Sequence, residues 1–332
     1  MFRPFRRFRP LSLAAAAVLS FAACNGEDSP LAPQDAAPAA PADAGQVEAV
    51  APADAALITA QRIAFLSPRN GALSVYKMDP AGNNVVRLTK TSDPVYEPAW
   101  SYDNKRIAMI RLRYDGNVAK DDIWLVNADG TNGHWLSNTM SAWDLKDPSW
   151  APDGSHLLVS MFISPSYWYL GKIQVASGTI TVLHPIGGGI VGDRPSYDKA
   201  GKRIVYRGAS HATVDQVNAD GSGHKILVNS GGPAVDWPRF SPDGGRIVFQ
   251  KGPAAGNSDV FVKNLGTGVV TNLTSSTAAD GLATWSPDGT KLAFVSYRAG
   301  PGQIYTMSSS TGGSLTRITH TSVSEGAPTW SH

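Results

Sequence analysis

The sequence predicts an all-β fold, a six-bladed β-propeller, and three observations carry that expectation. First, one short pattern recurs after residue 61: an aromatic residue, then Ser-Pro-Asp-Gly or a relaxed form of it, then a basic residue and an apolar triplet. The fullest copies are Trp285-Ser286-Pro287-Asp288-Gly289 before Leu292-Ala293-Phe294, and Phe240-Ser241-Pro242-Asp243-Gly244 before Ile247-Val248-Phe249. Trp150-Ala151-Pro152-Asp153-Gly154 precedes Leu157-Leu158-Val159, weaker copies start at Trp100 and Tyr197, and the last stops at Trp330-Ser331-His332. Second, these anchors stand at 100, 150, 197, 240, 285 and 330, so their spacings are 50, 47, 43, 45 and 45. Such a period matches the ~40–50 residues of a propeller blade. Third, no stretch beyond residue 61 shows a helical period, while short alternating runs are punctuated by Asp-Gly turns.

Residues 1–10 carry Arg3, Arg6, Arg7 and Arg9 and no acid, and residues 11–23 form an apolar, alanine-rich run. That is the layout of a secretory signal, and the run is too short to span a bilayer as a mature helix. It ends Ser20-Phe21-Ala22-Ala23-Cys24, and Cys24 is the single cysteine of the chain. Small residues before a lone cysteine resemble the lipobox of bacterial lipoproteins. That resemblance implies cleavage after residue 23 and lipid attachment at Cys24. Asn25 follows the cysteine, which by the enteric sorting rule resembles an outer-membrane lipoprotein. Two or three acyl chains would hold the protein firmly, at about 0.8 kcal/mol per buried CH₂.

Residues 24–61 are expected to be a tether. From residue 25 onward they hold 13 Ala, 5 Pro, six acids and no Lys or Arg. With almost no aromatic or β-branched residues, this segment cannot bury a core, and its Ala/Pro composition makes a semi-extended spacer. The folded part is then 62–332.

In that part each repeat supplies four strands, A to D. The anchor belongs to strand A and the apolar triplet to strand B. Strand C reads Val75-Tyr76-Lys77-Met78, Ile123-Trp124-Leu125-Val126, Ile173-Gln174-Val175, Val214-Asp215-Gln216-Val217, Val260-Phe261-Val262 and Ile304-Tyr305-Thr306-Met307. Turns such as Asn127-Ala128-Asp129-Gly130 lead to strand D, which ends near Arg87-Leu88-Thr89, Trp135-Leu136-Ser137, Asn272-Leu273-Thr274 or Arg317-Ile318-Thr319. The chain enters on a B strand at Arg62-Ile63-Ala64-Phe65 and leaves on an A strand at Ala327-Pro328-Thr329-Trp330. Six complete blades result only if these ends pair in one sheet, which also removes free edges.

Composition narrows function. The formal net charge of +2 excludes a strongly basic nucleic-acid binder, so no nucleic-acid partner is expected. One cysteine excludes an internal disulfide and a Cys-rich zinc site. There is no Gly-x-Ser-x-Gly elbow, no His-Glu-x-x-His and no phosphate loop, and the seven histidines are scattered without ligand spacing. His211 and Asp215 are close in sequence but belong to a loop and a strand start. No catalytic residue, resident metal or cofactor is therefore expected.

The six phased copies make residues 62–332 resemble the propeller of TolB, built from WD-like repeats with the Trp-Ser-Pro-Asp-Gly pattern. The resemblance implies a periplasm-facing envelope protein. It also implies a propeller without the α/β domain that precedes the propeller in TolB itself.

Strand order places the A–B and C–D turns on one face and the B–C and D–A loops on the other. The second set is longer and more irregular, including residues 111–121, 138–147, 162–171 and 185–194, so the binding face is expected there. Each D–A loop delivers an acid shortly before a proline or its equivalent: Glu97, Asp147, Asp193, Asp236, Asp280 and Glu325. Because A strands line the channel, these six would ring one mouth and attract a basic partner or a divalent cation. Alternatively each carboxylate bonds backbone N–H groups in its own loop. Tyr96, Trp143 and Trp237 in D–A loops and Tyr167, Trp168 and Tyr169 in a B–C loop add rings suited to protein hot spots or sugars. A basic rim of Arg69, Arg111, Arg113, Lys120, Arg207, Lys251 and Arg298 surrounds them. The reading is a lipid-anchored, non-catalytic scaffold that binds an envelope protein. A carbohydrate-binding or metal-dependent carbohydrate-active protein is the alternative.

Overall fold

The computed structural model describes residues 61–332, apart from 117, 137–142, 165–166, 184–189 and 254–255. The predicted signal, Cys24, the tether up to residue 60, and parts of the four predicted loops (with His184) lie outside the described residues. The compact unit is Gln61–His332.

Among the described residues, six four-stranded antiparallel sheets form a ring of blades. The chain enters through β1 (Ile63–Ser67), β2 (Ser74–Met78) and β3 (Val86–Arg87). The next blade is β4 (Val95–Trp100), β5 (Arg106–Asp115), β6 (Val118–Asn127) and β7 (His134–Trp135). Then come β8 (Asp144–Trp150), β9 (His156–Ser164), β10 (Tyr167–Gln174) and β11 (Ile180–Val182). The fourth blade is β12 (Gly192–Tyr197), β13 (Arg203–Gly208), β14 (Thr213–Asn218) and β15 (Lys225–Asn229). The fifth is β16 (Ala234–Phe240), β17 (Arg246–Gly252), β18 (Asp259–Asn264) and β19 (Val270–Asn272). The last is β20 (Asp280–Trp285), β21 (Lys291–Ser296), β22 (Gln303–Ser308) and β23 (Thr316–Arg317). Strand β24 (Gly326–Trp330) returns to β1, pairing Trp330 with Ile63 and Thr329 with Ala64. The ends therefore close the ring in one sheet, as the phase of the repeats requires.

The repeated residues have separable physical jobs. Each anchor ends an A strand and is buried between its own blade and the one before. Trp150 Nε1 donates to the Ala99 carbonyl at 3.0 Å, and Trp285 Nε1 to the Arg239 carbonyl at 3.2 Å. The basic residue that opens strand B lies over the next blade's anchor. Arg106 sits 4.6 Å from the Trp150 ring, Arg203 4.6 Å from Phe240 and Arg246 4.7 Å from Trp285. Arg246 also donates to the Gly289 carbonyl at 3.0 Å, so one side chain spans ring and turn of the next blade. Such cation–π contacts contribute about 0.5–2 kcal/mol each. Where the anchor is Tyr197, the basic residue is His156, whose Nε2 meets the tyrosine hydroxyl at 2.8 Å.

Serine and aspartate shape the A–B turn. Ser241 Oγ accepts the Arg246 N–H at 2.9 Å, and Asp243 Oδ1 accepts the Gly245 N–H at 2.9 Å. Gly244 follows with φ 67°, a left-handed turn position that favours glycine. The Asp of Pro-Asp-Gly is thus a turn former.

Two hairpins rise above the rest. Strands β5 and β6 have ten residues each, and β9 and β10 have nine and eight, against five to seven in the other B strands. Here the structure differs from expectation: residues 111–115, 118–121 and much of 162–171 are antiparallel ladder rather than irregular loop. Register continues through Arg113↔Lys120 and Asp115↔Val118, and through Trp168↔Phe162. Alternation in Arg111-Leu112-Arg113-Tyr114 already suits a strand, and the pairing extends it past the blade. The outer positions Tyr114, Val118, Ile163 and Tyr167 are exposed.

Burial of a tryptophan covers ~150–250 Å², about 4–6 kcal/mol gross at ~25 cal/mol/Å². Trp285 is 6% exposed and packs among Val248, Val262, Leu292 and Phe294. Trp285→Ala is expected to cost about 3–5 kcal/mol, read as the loss of unfolding free energy in urea. A midpoint within error of wild type would contradict the role assigned to the anchors.

Candidate functional site

One local distortion builds the channel mouth. In every A strand the pairing with strand B skips two residues: between Tyr96 and Ala99, Lys146 and Ser149, Asp193 and Ser196, Asp236 and Arg239, Gly281 and Thr284, and opposite Ala64/Leu66 in β24. The first skipped residue is left-handed in all six: Glu97 (φ 53°), Asp147 (53°), Arg194 (55°), Trp237 (49°), Leu282 (54°) and Ala327 (43°). The second is proline in five blades and Ala283 in the other. Proline has no N–H to offer the ladder, which suits a bulge. A left-handed L-residue costs about 1–2 kcal/mol, so six at one structural position mark a shared geometric demand.

These six residues all line one open depression of about 490 Å³. One arc of its rim is Glu97, Asp147 and Arg194, and the other is Trp237, Leu282 and Ala327. The mouth is therefore charged on one side and apolar on the other.

The predicted ring of six acids divides into three pairs. Glu97 and Asp147 hold the left-handed position and line the mouth. Asp193 and Asp236 precede that position by one, and Asp280 and Glu325 by two, and these four do not line it. All but Glu325 lie inside A strands rather than in the loops before them. Asp280 is bonded to Arg298 at 2.9 Å and Glu325 to Arg69 at 2.8 Å. Asp193 forms a two-pronged bond with Arg207, one arm at 2.7 Å from Nε. Asp236 bridges Arg194 and Arg207, the latter at 3.3 Å.

Glu97 and Asp147 act on the next blade. Glu97 Oε2 accepts the Asp147 N–H at 2.7 Å, and Asp147 Oδ2 lies 3.4 Å from the Arg194 N–H, which also donates to Ser160 Oγ at 3.0 Å. Each acid thus satisfies the backbone donor freed by its neighbour's bulge. Burial and the nearby Asp147 push the Glu97 carboxyl up to about 8, so it holds its proton at neutral pH. Burial also raises Asp147, against the pull of Arg194. Burial would raise Asp193 as well, but Arg194 and Arg207 hold it below the usual carboxylate range. Arg194 is buried, yet Asp236, Asp193 and Asp147 keep it firmly charged.

Among the predicted aromatics only Trp237 lines the mouth, with the Arg194 guanidinium 4.6 Å from its ring. Tyr96 lies in β4 and Trp237 in β16, not in loops, while Trp143 precedes β8. Tyr96 and Trp143 pack on the core beneath the second and third blades. Trp168 belongs to the tall β9–β10 hairpin, 5.1 Å from Phe162 and under Lys146 at 5.3 Å. Of the basic rim, Arg69, Arg111, Arg113, Arg207 and Arg298 are ion-paired. Asp215 bonds His224 at 3.0 Å rather than His211.

Arg194 is the charged mouth residue that sequence reasoning passed over, together with the apolar Leu282 and Ala327. Alignment on the prolines would have found it: Glu97-Pro98, Asp147-Pro148, Arg194-Pro195, Trp237-Pro238 and Ala327-Pro328 share one register. Among the described residues, no group of three or more His, Cys, Asp or Glu side chains is arranged to hold a metal ion.

Residues 190–332 match the family model of the TolB beta propeller domain. TolB from Acinetobacter baumannii superposes with a TM-score of 0.68 at 19% identity, over 82% of this chain and 67% of that one. The chain is a TolB-like six-bladed propeller. A protein assigned as TolB from Agrobacterium tumefaciens gives 0.61 at 18% identity, over 78% and 88%. An oligogalacturonate lyase in complex with manganese gives 0.51 at 14% identity, over 78% and 74%. No curated protein matches this TolB-like chain by sequence.

The buried Glu97 proton has a measurable consequence. The folded state holds it up to about pH 8, while the unfolded chain releases it near 4.5. Between those values the native state binds more protons, so this group's contribution to stability falls as pH rises. Glu97→Gln should remove that slope, and its melting temperature relative to wild type should climb from pH 5 to pH 8.5. A difference that stays constant with pH would show that Glu97 is ionised in the fold.

Proposed function

We propose that this protein is a non-catalytic, protein-binding propeller of the bacterial cell envelope. A lipid on Cys24 anchors it, outer-membrane sorting follows Asn25, and the propeller faces the periplasm. The lipobox-like Ala22-Ala23-Cys24 and the likeness to TolB support that address. The observation that carries the binding role is the two-sided mouth: Glu97, Asp147 and Arg194 face Trp237, Leu282 and Ala327 across the channel opening. Such a rim suits a polypeptide segment with a cationic group beside an apolar side chain. The tall β5–β6 and β9–β10 hairpins flank the acidic arc and offer Tyr114 and Tyr167 as further contacts. The tether raises the local concentration of the propeller near the membrane.

The second reading is a carbohydrate-binding or carbohydrate-active protein. The exposed Tyr167 and the neighbouring Trp168 on one hairpin favour it, because flat rings stack on sugars.

In-cell photo-crosslinking from position 114 or 167, in a chain carrying Cys24, separates the two. A discrete protein adduct is expected, and Trp237→Ala should reduce it at least tenfold, as loss of a hot spot of about 2 kcal/mol would. A folded, lipidated protein with no adduct, but with glycan binding lost in Trp168→Ala, would replace the first reading by the second.

A further inference from the structure

The channel has a second opening of different chemistry. Two residues past each left-handed position, the A strands place Ala99, Ser149, Ser196, Arg239, Thr284 and Thr329 around the waist. Five are small, four of those carry hydroxyls, and one is arginine. All six line a lower chamber of about 750 Å³ that opens toward the A–B turns. Ser196 and Arg239 also line the upper mouth, so they stand where the two spaces meet. The chamber walls include Trp100, Trp150, Trp285 and Trp330. No Asp or Glu side chain lines it, and Lys199 joins Arg239 as its second cation. His332 stacks on Tyr102 at 3.8 Å there and is neutral, because burial and these two cations push it down to about 4.

The Arg239 guanidinium forms no hydrogen bond or ion pair among the described residues. The acids above it are already engaged. Arg194 holds Asp147 and Asp236, Arg207 holds Asp193, and Glu97 accepts a backbone N–H. Trp100 Nε1 and Trp330 Nε1 are likewise without acceptors, whereas the other two indoles donate to strand carbonyls. A partly buried arginine with its fork of donors unspent, in a ring of hydroxyls, lacks a counter-anion.

We propose that the lower chamber binds a small organic anion, with its carboxylate or phosphate on Arg239 at the waist and its apolar body against the tryptophan walls. A planar guanidinium matches such oxyanions with two parallel hydrogen bonds. Ser149, Ser196, Thr284 and Thr329 supply further donors, and Lys199 at the rim attracts the charge. The indoles supply the apolar lining that small-molecule sites use. The chamber needs no partner at the upper mouth in order to bind such an anion.

The test is titration of the whole protein with benzoate and with inorganic phosphate at constant ionic strength. Binding is followed by calorimetry and by the fluorescence of the wall tryptophans. Saturable binding of benzoate or phosphate is expected, with a fluorescence change. Benzoate alone would assign a carboxylate ligand, and phosphate alone a phosphate ester. Arg239→Gln should weaken binding at least tenfold, Arg239→Lys less, and the exposed Lys199→Gln two- to fivefold. Should Arg239→Gln fail to fold, Ala99→Leu, which narrows the waist from the blade opposite Arg239, must abolish binding instead. No saturable binding of either anion to wild type, or equal binding by a folded Arg239→Gln protein, would overturn the proposal.

Discussion

The left-handed bulge in each A strand is the constraint on which the channel depends. A regular antiparallel ladder would alternate side chains strictly between the two faces of each sheet. Skipping two residues turns one of them inward, at a cost of about 1–2 kcal/mol per non-glycine residue. Proline after it removes a donor that the ladder could not use. The freed N–H of the bulge residue must still find an acceptor. In the third and fourth blades the solution is a side chain from the preceding blade, Glu97 for Asp147 and Asp147 for Arg194. The same carboxylates that line the mouth therefore stitch blade to blade.

That double use explains why the acids are so buried. An isolated carboxylate in such a place would lose far more in hydration than one hydrogen bond returns. The fold answers in two ways. Asp193 and Asp236 are neutralised by Arg194 and Arg207, which form a connected cluster beside the mouth. Glu97 has no such arginine in bonding range and keeps a proton instead. The charge that a partner meets is consequently far less negative than a count of six acids suggests.

The fold was legible because its determinants are local and repeated. The Trp-Ser-Pro-Asp-Gly turn, the basic residue that follows and the phase of the termini each act within one or two blades, so spacing alone reveals them. The mouth was less legible. Acids such as Asp193 and Asp280 stand near the right place in sequence, but a shift of one or two residues relative to the bulge sends a strand side chain elsewhere. Only the prolines mark the register, and Leu282-Ala283 lacks even that. The tall hairpins were hidden for another reason: Arg113, Lys120 and Asp121 read as loop residues by polarity, yet cross-strand pairing holds them in a ladder.

Two layers of the same six strands thus carry opposite chemistry. The bulge residues put Glu97, Asp147 and Arg194 around the upper mouth. The residues two positions on put a single arginine among hydroxyls, with tryptophan walls below. Because Arg239 borders both spaces, an anion bound from below would also screen its field from Asp147 and Glu97. Losing that stabilising cation would raise the carboxyls further. Occupancy of the lower chamber would then make the upper mouth hold its proton more tightly and present less negative charge. Arg239 stands on β16 and the two acids on β8 and β4, so this coupling acts across the channel and needs no movement of the blades; it follows from Coulomb's law.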